Sequence, residues 1–248
     1  MHYMFQFRIP VSIAAVTLLA GCAAAQQHND GPQPRVVSAG APDKAPSDAV
    51  VLFDGTDLSH WTVKNGGPAK CQVQDGAMAC KTGSGDVYSK ERFRSAQIHV
   101  EFNIPNMPEQ HGQLRGNSGV FLQGLYEIQV LDSYNNPTYA NGSCGALYGQ
   151  YAPLVNASRP PEQWQTYDVV FHAPRCDASG NVTQKGTLTL LHNGVLVQDH
   201  VEIQHHTPGN AFTNVCDPGP LELQDHSGFP GAPVTIMRFR NIWFRPLE

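Results

Sequence analysis

Two short stretches carry side chains able to do acid–base chemistry at regular spacing. In YEIQVLDS, residues 126–133, a carboxylate at Glu127 is followed by an amide at Gln129 and a second carboxylate at Asp132. Side chains alternate faces along a strand, so Tyr126, Ile128 and Val130 share an apolar face while Glu127 and Gln129 project from the other. Asp132, five residues after Glu127, returns to that polar face only across a β-bulge. In LELQDH, residues 221–226, Leu221 and Leu223 set a core-facing register and leave Glu222, Gln224 and His226 pointing outward together. Carboxyl and imidazole groups converging on one face supply general acids and bases.

The elements that must hold these groups are strands. Alternation recurs in VLFDGTDLSHWTV, in DVYSKERFRSAQIHVEFNIP and in GVFLQG. It returns in QTYDVVFHAP, in KGTLTLLHNGVLVQDHVEI with Asn193-Gly194 as its turn, and in VTIMRFRNIWFRPL. No stretch keeps a helical period. Residues 135–163, rich in Gly, Asn and Pro, form a long loop of functional type. The pattern predicts an all-β antiparallel β-sandwich with long loops over a concave, ligand-bearing face.

Net charge of −5, without a Lys/Arg run, gives no electrostatic footprint for nucleic acid. Residues 1–21 read as a lipoprotein signal peptide: Arg8, a short apolar run, then Leu19-Ala20-Gly21-Cys22 as a lipobox. Lipidation at Cys22 would tether the chain in a bacterial cell envelope, at the outer membrane, with membrane contact only through the anchor. Residues 22–49 are poor in apolar anchors and read as a disordered tether, leaving 50–248 as one domain.

Five cysteines follow Cys22. Asp75-Gly76 is a two-residue hairpin turn, and counting outward places Cys71 opposite Cys80 in a non-hydrogen-bonded pair. Cα atoms there lie roughly 4.5 Å apart, within reach of a disulfide. Cys144, Cys176 and Cys216 match no zinc spacing, and their pairing stays open. Eleven histidines raise the question of a metal, but adjacent His205 and His206 point to opposite strand faces. Glu127, Asp132 and His226 would form a mixed site only if the fold gathers them. No cofactor is expected, with a divalent metal left open.

Taken in order, several motifs resemble the 3-keto-disaccharide hydrolase domain family. They are Leu52-Phe53-Asp54-Gly55 through Leu58 to Trp61, Gly116 to Leu122 with Tyr126 to Ser133, and Gly145-Ala146-Leu147-Tyr148. Trp164 through Tyr167-Asp168 to Arg175, His192-Asn193-Gly194, Leu223-Gln224-Asp225-His226 and Phe239 to Trp243 complete the series. The resemblance spans residues 51–248. It implies a concanavalin A-like jelly roll that cleaves glycosides already oxidised to a ketone at carbon 3. A separate sugar 3-dehydrogenase would make that substrate, since the chain has no GxGxxG nucleotide loop.

A 3-keto sugar needs one base to take the acidified carbon-2 proton, a partner for the enolate oxygen, and an acid for the leaving group. Glu127 is the first candidate base, with His226 as rival base or leaving-group acid. Arg115 is the candidate enolate partner. Asn117, Gln129, Gln224 and Tyr148 are candidate sugar contacts. Asp132 is either catalytic or the cap of the turn from Tyr134 to Pro137. Two other functions remain open. The spacing Glu127-x-Gln129-x-x-Asp132 parallels the E-x-D-x-x-E strand of laminarinase-type endo-glucanases, whose two carboxylates stand roughly 5–5.5 Å apart. A non-catalytic carbohydrate-binding module would need no base at all.

Overall fold

Each alternating segment of the sequence forms a strand in the computed structural model, which describes residues 1, 31–41, 44–208 and 212–247. The strands are β1 (Val50–Phe53), β2 (Trp61–Thr62), β3 (Gln72–Gln74), β4 (Ala77–Lys81), β5 (Val87–Phe93), β6 (Ala96–Asn103), β7 (Ser118–Leu122) and β8 (Tyr126–Val130). They continue as β9 (Trp164–His172), β10 (Arg175–Cys176), β11 (Val182–Gln184), β12 (Thr187–His192), β13 (Val195–Glu202), β14 (Gly219–Leu223) and β15 (Ile236–Pro246).

Two antiparallel sheets stack into a concanavalin A-like sandwich. The larger runs β13-β12-β9-β6-β15-β4-β3, with β1 also paired to β15, and the smaller runs β2-β5-β14-β7-β8. Alternation decides which side chains fill the space between. From the large sheet Ile98, Val100, Phe102, Tyr167, Val169 and Phe171 point inward; from the small sheet Val120, Leu122, Tyr126, Ile128, Val130, Leu221 and Leu223 meet them. Tyr126 packs on Phe171 with ring centroids 5.8 Å apart, and the Tyr167 hydroxyl donates across the core to the Gln129 carbonyl at 2.5 Å. Thus the face of β8 opposite Glu127 is locked to the large sheet, which fixes the outward direction of Glu127 and Gln129.

The Asp75-Gly76 hairpin forms in the expected register, Gln72 opposite Ala79 and Gln74 opposite Ala77. Cys71 and Cys80 are disulfide-bonded with Cα atoms 4.4 Å apart. A second disulfide joins Cys176 to Cys216, and Cys144 is a buried thiol in contact with the Tyr167 hydroxyl at 3.0 Å. The compact unit extends upstream of β1, from Val37. Asp48, assigned to the tether by composition, accepts from Arg245 Nε at 2.7 Å. Residues 31–36 are exposed. The lipobox and Cys22 lie outside the described residues.

Candidate active site

The outer face of the small sheet carries a row of four side chains in strict register. Tyr88 on β5 sits opposite Glu222 on β14, Glu222 opposite Phe121 on β7, and Phe121 opposite Glu127 on β8. Neighbouring strands are about 4.8 Å apart, so the backbones of Glu222 and Glu127 stand about 10 Å from each other with Phe121 between. Two residues along, Gln129 is paired with Gly119, whose carbonyl accepts the Gln224 N–H at 2.9 Å. Gly119 leaves room for its neighbours: a Cβ would lie 2.9 Å from both Glu127 Oε1 and the Phe121 ring, so a side chain here would displace the Glu127 carboxyl. These rows floor a cleft of about 630 Å³.

Loops build its walls. β8 is the last strand of its sheet, and the Tyr148 N–H donates to the Glu127 carbonyl at 3.0 Å while Gln129 and Ala146 pair likewise. This edge pairing carries Tyr148 to the cleft, where its hydroxyl meets that of Tyr139 at 2.7 Å. On the opposite side Asp225 accepts from the N–H groups of Gly83, Gly85 and Ser227 at 2.7–3.0 Å, starting the turn His226–Gly228. That turn places His226 at the cleft, stacked on Phe229 with centroids 4.9 Å apart.

Electrostatics follow from burial without compensation. Glu127 is 4% exposed, and no group among the described residues donates to its carboxyl. Burial raises its pKa from near 4.5 to about 8. Glu222 is raised to about 8 as well, by burial first and then by the charges of Asp86 and Glu127, which outweigh its hydrogen bond with Tyr88. Burial lowers the pKa of His226, against the pull of Asp225, so the imidazole is neutral near pH 7. Among the described residues, Lys64 is the lysine or arginine that borders the cleft.

The structure gathers most of the predicted residues. Glu127, His226, Asn117, Gln129, Tyr148 and Gln224 all border the cleft. Arg115 and Asp132 do not, which corrects both expectations. Arg115 Nε lies 2.8 Å from Asp132 Oδ2, and Nη2 donates to Oδ1 at 3.0 Å. Arg115 also donates to the Tyr134 carbonyl, and Asp132 Oδ1 accepts the Tyr134 N–H at 3.1 Å. No bulge returns Asp132 to the polar face, because β8 ends at Val130. Of its two readings, the turn cap is the one found. The mixed metal site with Asp132 is undone for the same reason, and no group of three or more potential ligands occurs among the described residues.

Glu222, Tyr88, Asp86, Lys64 and Gln113 are the functional candidates that sequence reading passed over. The alternation in LELQDH had already turned Glu222 outward. Nothing local could show that β14 and β8 flank one strand and bring it within reach of Glu127.

An antiparallel sandwich with an acid–base cleft across one sheet is the arrangement of a carbohydrate-active enzyme. The chain belongs to the 3-keto-alpha-glucoside-1,2-lyase-like domain family, whose profile matches residues 48–245. It is also similar to the crystal structure of a candidate glycosyl hydrolase from Parabacteroides distasonis ATCC 8503. Identity there is 41%, TM-score 0.81, and the match covers 96% of this chain and 100% of that one. A second candidate glycosyl hydrolase of that organism, 20% identical with TM-score 0.56 over 81% of this chain and 94% of its own, shares the fold. No curated protein matches the chain.

Proposed function

We propose that this protein cleaves glycosides or disaccharides bearing a ketone at carbon 3. The observation that carries the reading is the pair of buried carboxyls, Glu127 and Glu222, facing one open cleft across a single strand, with burial pushing the pKa of each up to about 8. Such groups are poor fixed charges and good proton carriers. Ionised Glu127 takes the carbon-2 proton, and the electron pair moves into the carbonyl to give an enolate. Glu222, still protonated because its charge is coupled to that of Glu127, donates to the enolate oxygen. As the carbonyl reforms, the carbon 1–carbon 2 double bond forms and the bond to the anomeric substituent breaks. Neutral His226 stands where it can relay the proton this leaving group needs. Water adding at carbon 1 completes a net hydrolysis; release before that step is a lyase reaction.

Offering the protein a 3-keto glucoside, its unoxidised parent and a β-glucan tests the reading, with turnover expected of the keto compound alone. The parent glycoside also decides a second reading. Carboxyl groups 6.5–9.5 Å apart suit inverting glycosidases, and the alternate-strand spacing of Glu127 and Glu222 is of that order. Cleavage of the unoxidised parent would establish that chemistry and end the keto-sugar proposal. The endo-glucanase pairing of Glu127 with Asp132 loses its second carboxylate to Arg115. A purely binding function sits poorly with two proton carriers and an imidazole at one cleft.

For its setting we infer export and lipid attachment at Cys22, supported by the lipobox and by two disulfides of the kind an oxidising compartment maintains. Cys22→Ser should abolish lipid labelling and release the domain from the membrane fraction. A sugar 3-dehydrogenase must act upstream to install the ketone.

A further inference from the structure

Four buried polar atoms in the cleft have no hydrogen-bond partner: Asn117 Oδ1, Gln129 Oε1, Gln224 Oε1 and Glu222 Oε2. An unsatisfied buried acceptor costs about 1–3 kcal/mol, so their grouping marks where donors arrive from outside. The orientation of two of them is dictated by Gln113. Its Oε1 accepts from Asn117 Nδ2 at 3.2 Å and from Gln129 Nε2 at 3.0 Å. The same two NH₂ groups also donate to carbonyls, Asn117 to Gln113 at 2.9 Å and Gln129 to Gly142 at 3.2 Å. Turning either amide over would set its oxygen against two other acceptors, so both amide oxygens are held free.

Gln113 is itself tied down. Its NH₂ donates to Thr138 Oγ1 and to the Gly142 carbonyl, each at 2.9 Å. Asn136 clamps the backbone beneath it, accepting the Gly112 N–H at 2.7 Å and donating to the Gly112 carbonyl at 3.0 Å. Asn136 in turn donates to the Asp132 carbonyl at 2.6 Å, so the Arg115–Asp132 pair underpins this wall without reaching the sugar.

Building on the proposed function, we propose that Asn117, Gln129 and Gln224 form an acceptor wall that selects the substrate by its sugar hydroxyls, with Gln113 as the positioning residue. Each hydroxyl brings the proton these oxygens lack. A ketone brings none, so the oxidised carbon is turned away from the wall. It falls instead toward Glu222, whose carboxyl is the one of the four groups able to hold a proton and donate it. Side-chain amides therefore do the reading while the carboxyl row does the chemistry, and the wall sets which ring position faces Glu127.

The test uses three variants and two kinds of ligand. Gln129→Met removes one acceptor at nearly constant volume, and Gln113→Met frees the amides of both Asn117 and Gln129. Gln113→Glu keeps an oxygen that accepts from both, while its second oxygen can still accept from Thr138 but loses the bond to the Gly142 carbonyl. With a 3-keto glucoside and its mono-deoxy analogues, the native protein should lose about 10-fold or more in kcat/KM on at least one analogue. Gln129→Met should lose that discrimination. Gln113→Met should raise KM by about 10-fold with kcat little changed, and Gln113→Glu, with one of its two anchors lost, should recover part of that loss. Calorimetric binding of methyl glucoside, which has no ketone, reads the wall without any reaction. If native protein binds every deoxy analogue alike, or Gln129→Met discriminates as before, the wall is wrong even where cleavage occurs. If methyl glucoside affinity falls in Gln129→Met while no keto sugar is cleaved, the wall stands and the proposed reaction falls. Loss of methyl glucoside affinity on chelation of divalent cations would assign these oxygens to a cation and overturn the hydroxyl reading.

Discussion

The outer faces of the two sheets treat buried carboxylates in opposite ways. On the large sheet Glu101 is 4% exposed, as buried as Glu127, yet it is fully answered. Arg240 Nε reaches it at 2.6 Å, Asn241 donates at 2.9 Å, and His99 lies 3.6 Å away. Burial pushes its pKa up, but these partners prevail and bring it to about 2. His99, stacked on Trp243 and bonded to Asp168 at 2.6 Å, is raised to about 9 despite its own burial. On the small sheet Glu127 has no such partner, and Glu222 faces further carboxylates. Equal burial thus yields a fixed charge on one face and a proton carrier on the other. What separates them is whether the register supplies a cation, and Glu127 and Glu222 stand unanswered at the floor of their cleft.

The largest effect expected from breaking this contrast is catalytic. Glu127→Gln should lower kcat on the keto substrate by about 10²–10⁴-fold, the usual worth of a positioned base. Its melting temperature should hold or rise, because a costly buried acid is replaced by a neutral amide. The matched change on the other face, Glu101→Gln, should do the reverse. Leaving Arg240 and His99 without their carboxylate should cost about 3 kcal/mol in denaturant unfolding, with kcat of the folded fraction near native. If Glu127→Gln unfolds the protein and Glu101→Gln silences it, the assignment of roles to the two faces is wrong.

Legibility in the sequence follows the same division. Strand alternation is local, so the inward faces of β8 and β14 and the outward turn of Glu127, Gln129, Glu222, Gln224 and His226 could be read directly. The Cys71–Cys80 pair was equally readable, since one hairpin turn sets its register. Partnership between distant strands was not. Whether Glu101 or Glu127 meets a guanidinium depends on β15 crossing beside β6 and no cationic strand crossing beside β8. The Cys176–Cys216 disulfide spans 40 residues and has no local signal. Asp132 stayed open between catalysis and turn cap because five-residue spacing looks alike on paper whether the strand continues past Val130 or turns away.

Acidity offers a finer test of the contrast. Glu127 has a raised folded pKa, so between pH 4.5 and about 8 the folded state binds a proton that the unfolded state has released. Its contribution therefore favours folding at the acid end and is lost as pH climbs through 8. Glu101 runs the other way, stabilising above pH 4.5 and failing as pH falls through about 2. His99 stabilises fully below pH 6.5 and fades through about 9. Urea unfolding across pH 5–8 should show a decline in the native protein that Glu127→Gln reduces by on the order of 2 kcal/mol. Catalysis should rise over the same interval as Glu127 ionises. A native stability curve that climbs from pH 5 to 8 would show that Glu127 is ionised well below that range.

The smallest expected effect separates two carboxylates within one stretch. Asp132 is 2% exposed like its neighbours, but its partner Arg115 retains some contact with solvent, which softens the loss of the pair. Asp132→Asn keeps an oxygen for the Tyr134 N–H and should cost about 1–2 kcal/mol of stability. Because Asn136 rests on the Asp132 carbonyl and in turn holds the turn that carries Gln113, any kinetic trace should appear in KM. A fall in kcat comparable to that of Glu127→Gln, measured on folded protein, would return Asp132 to the chemistry. A change confined to stability and a modest rise in KM leaves Glu127 as the proton carrier of this strand and Asp132 as part of its foundation.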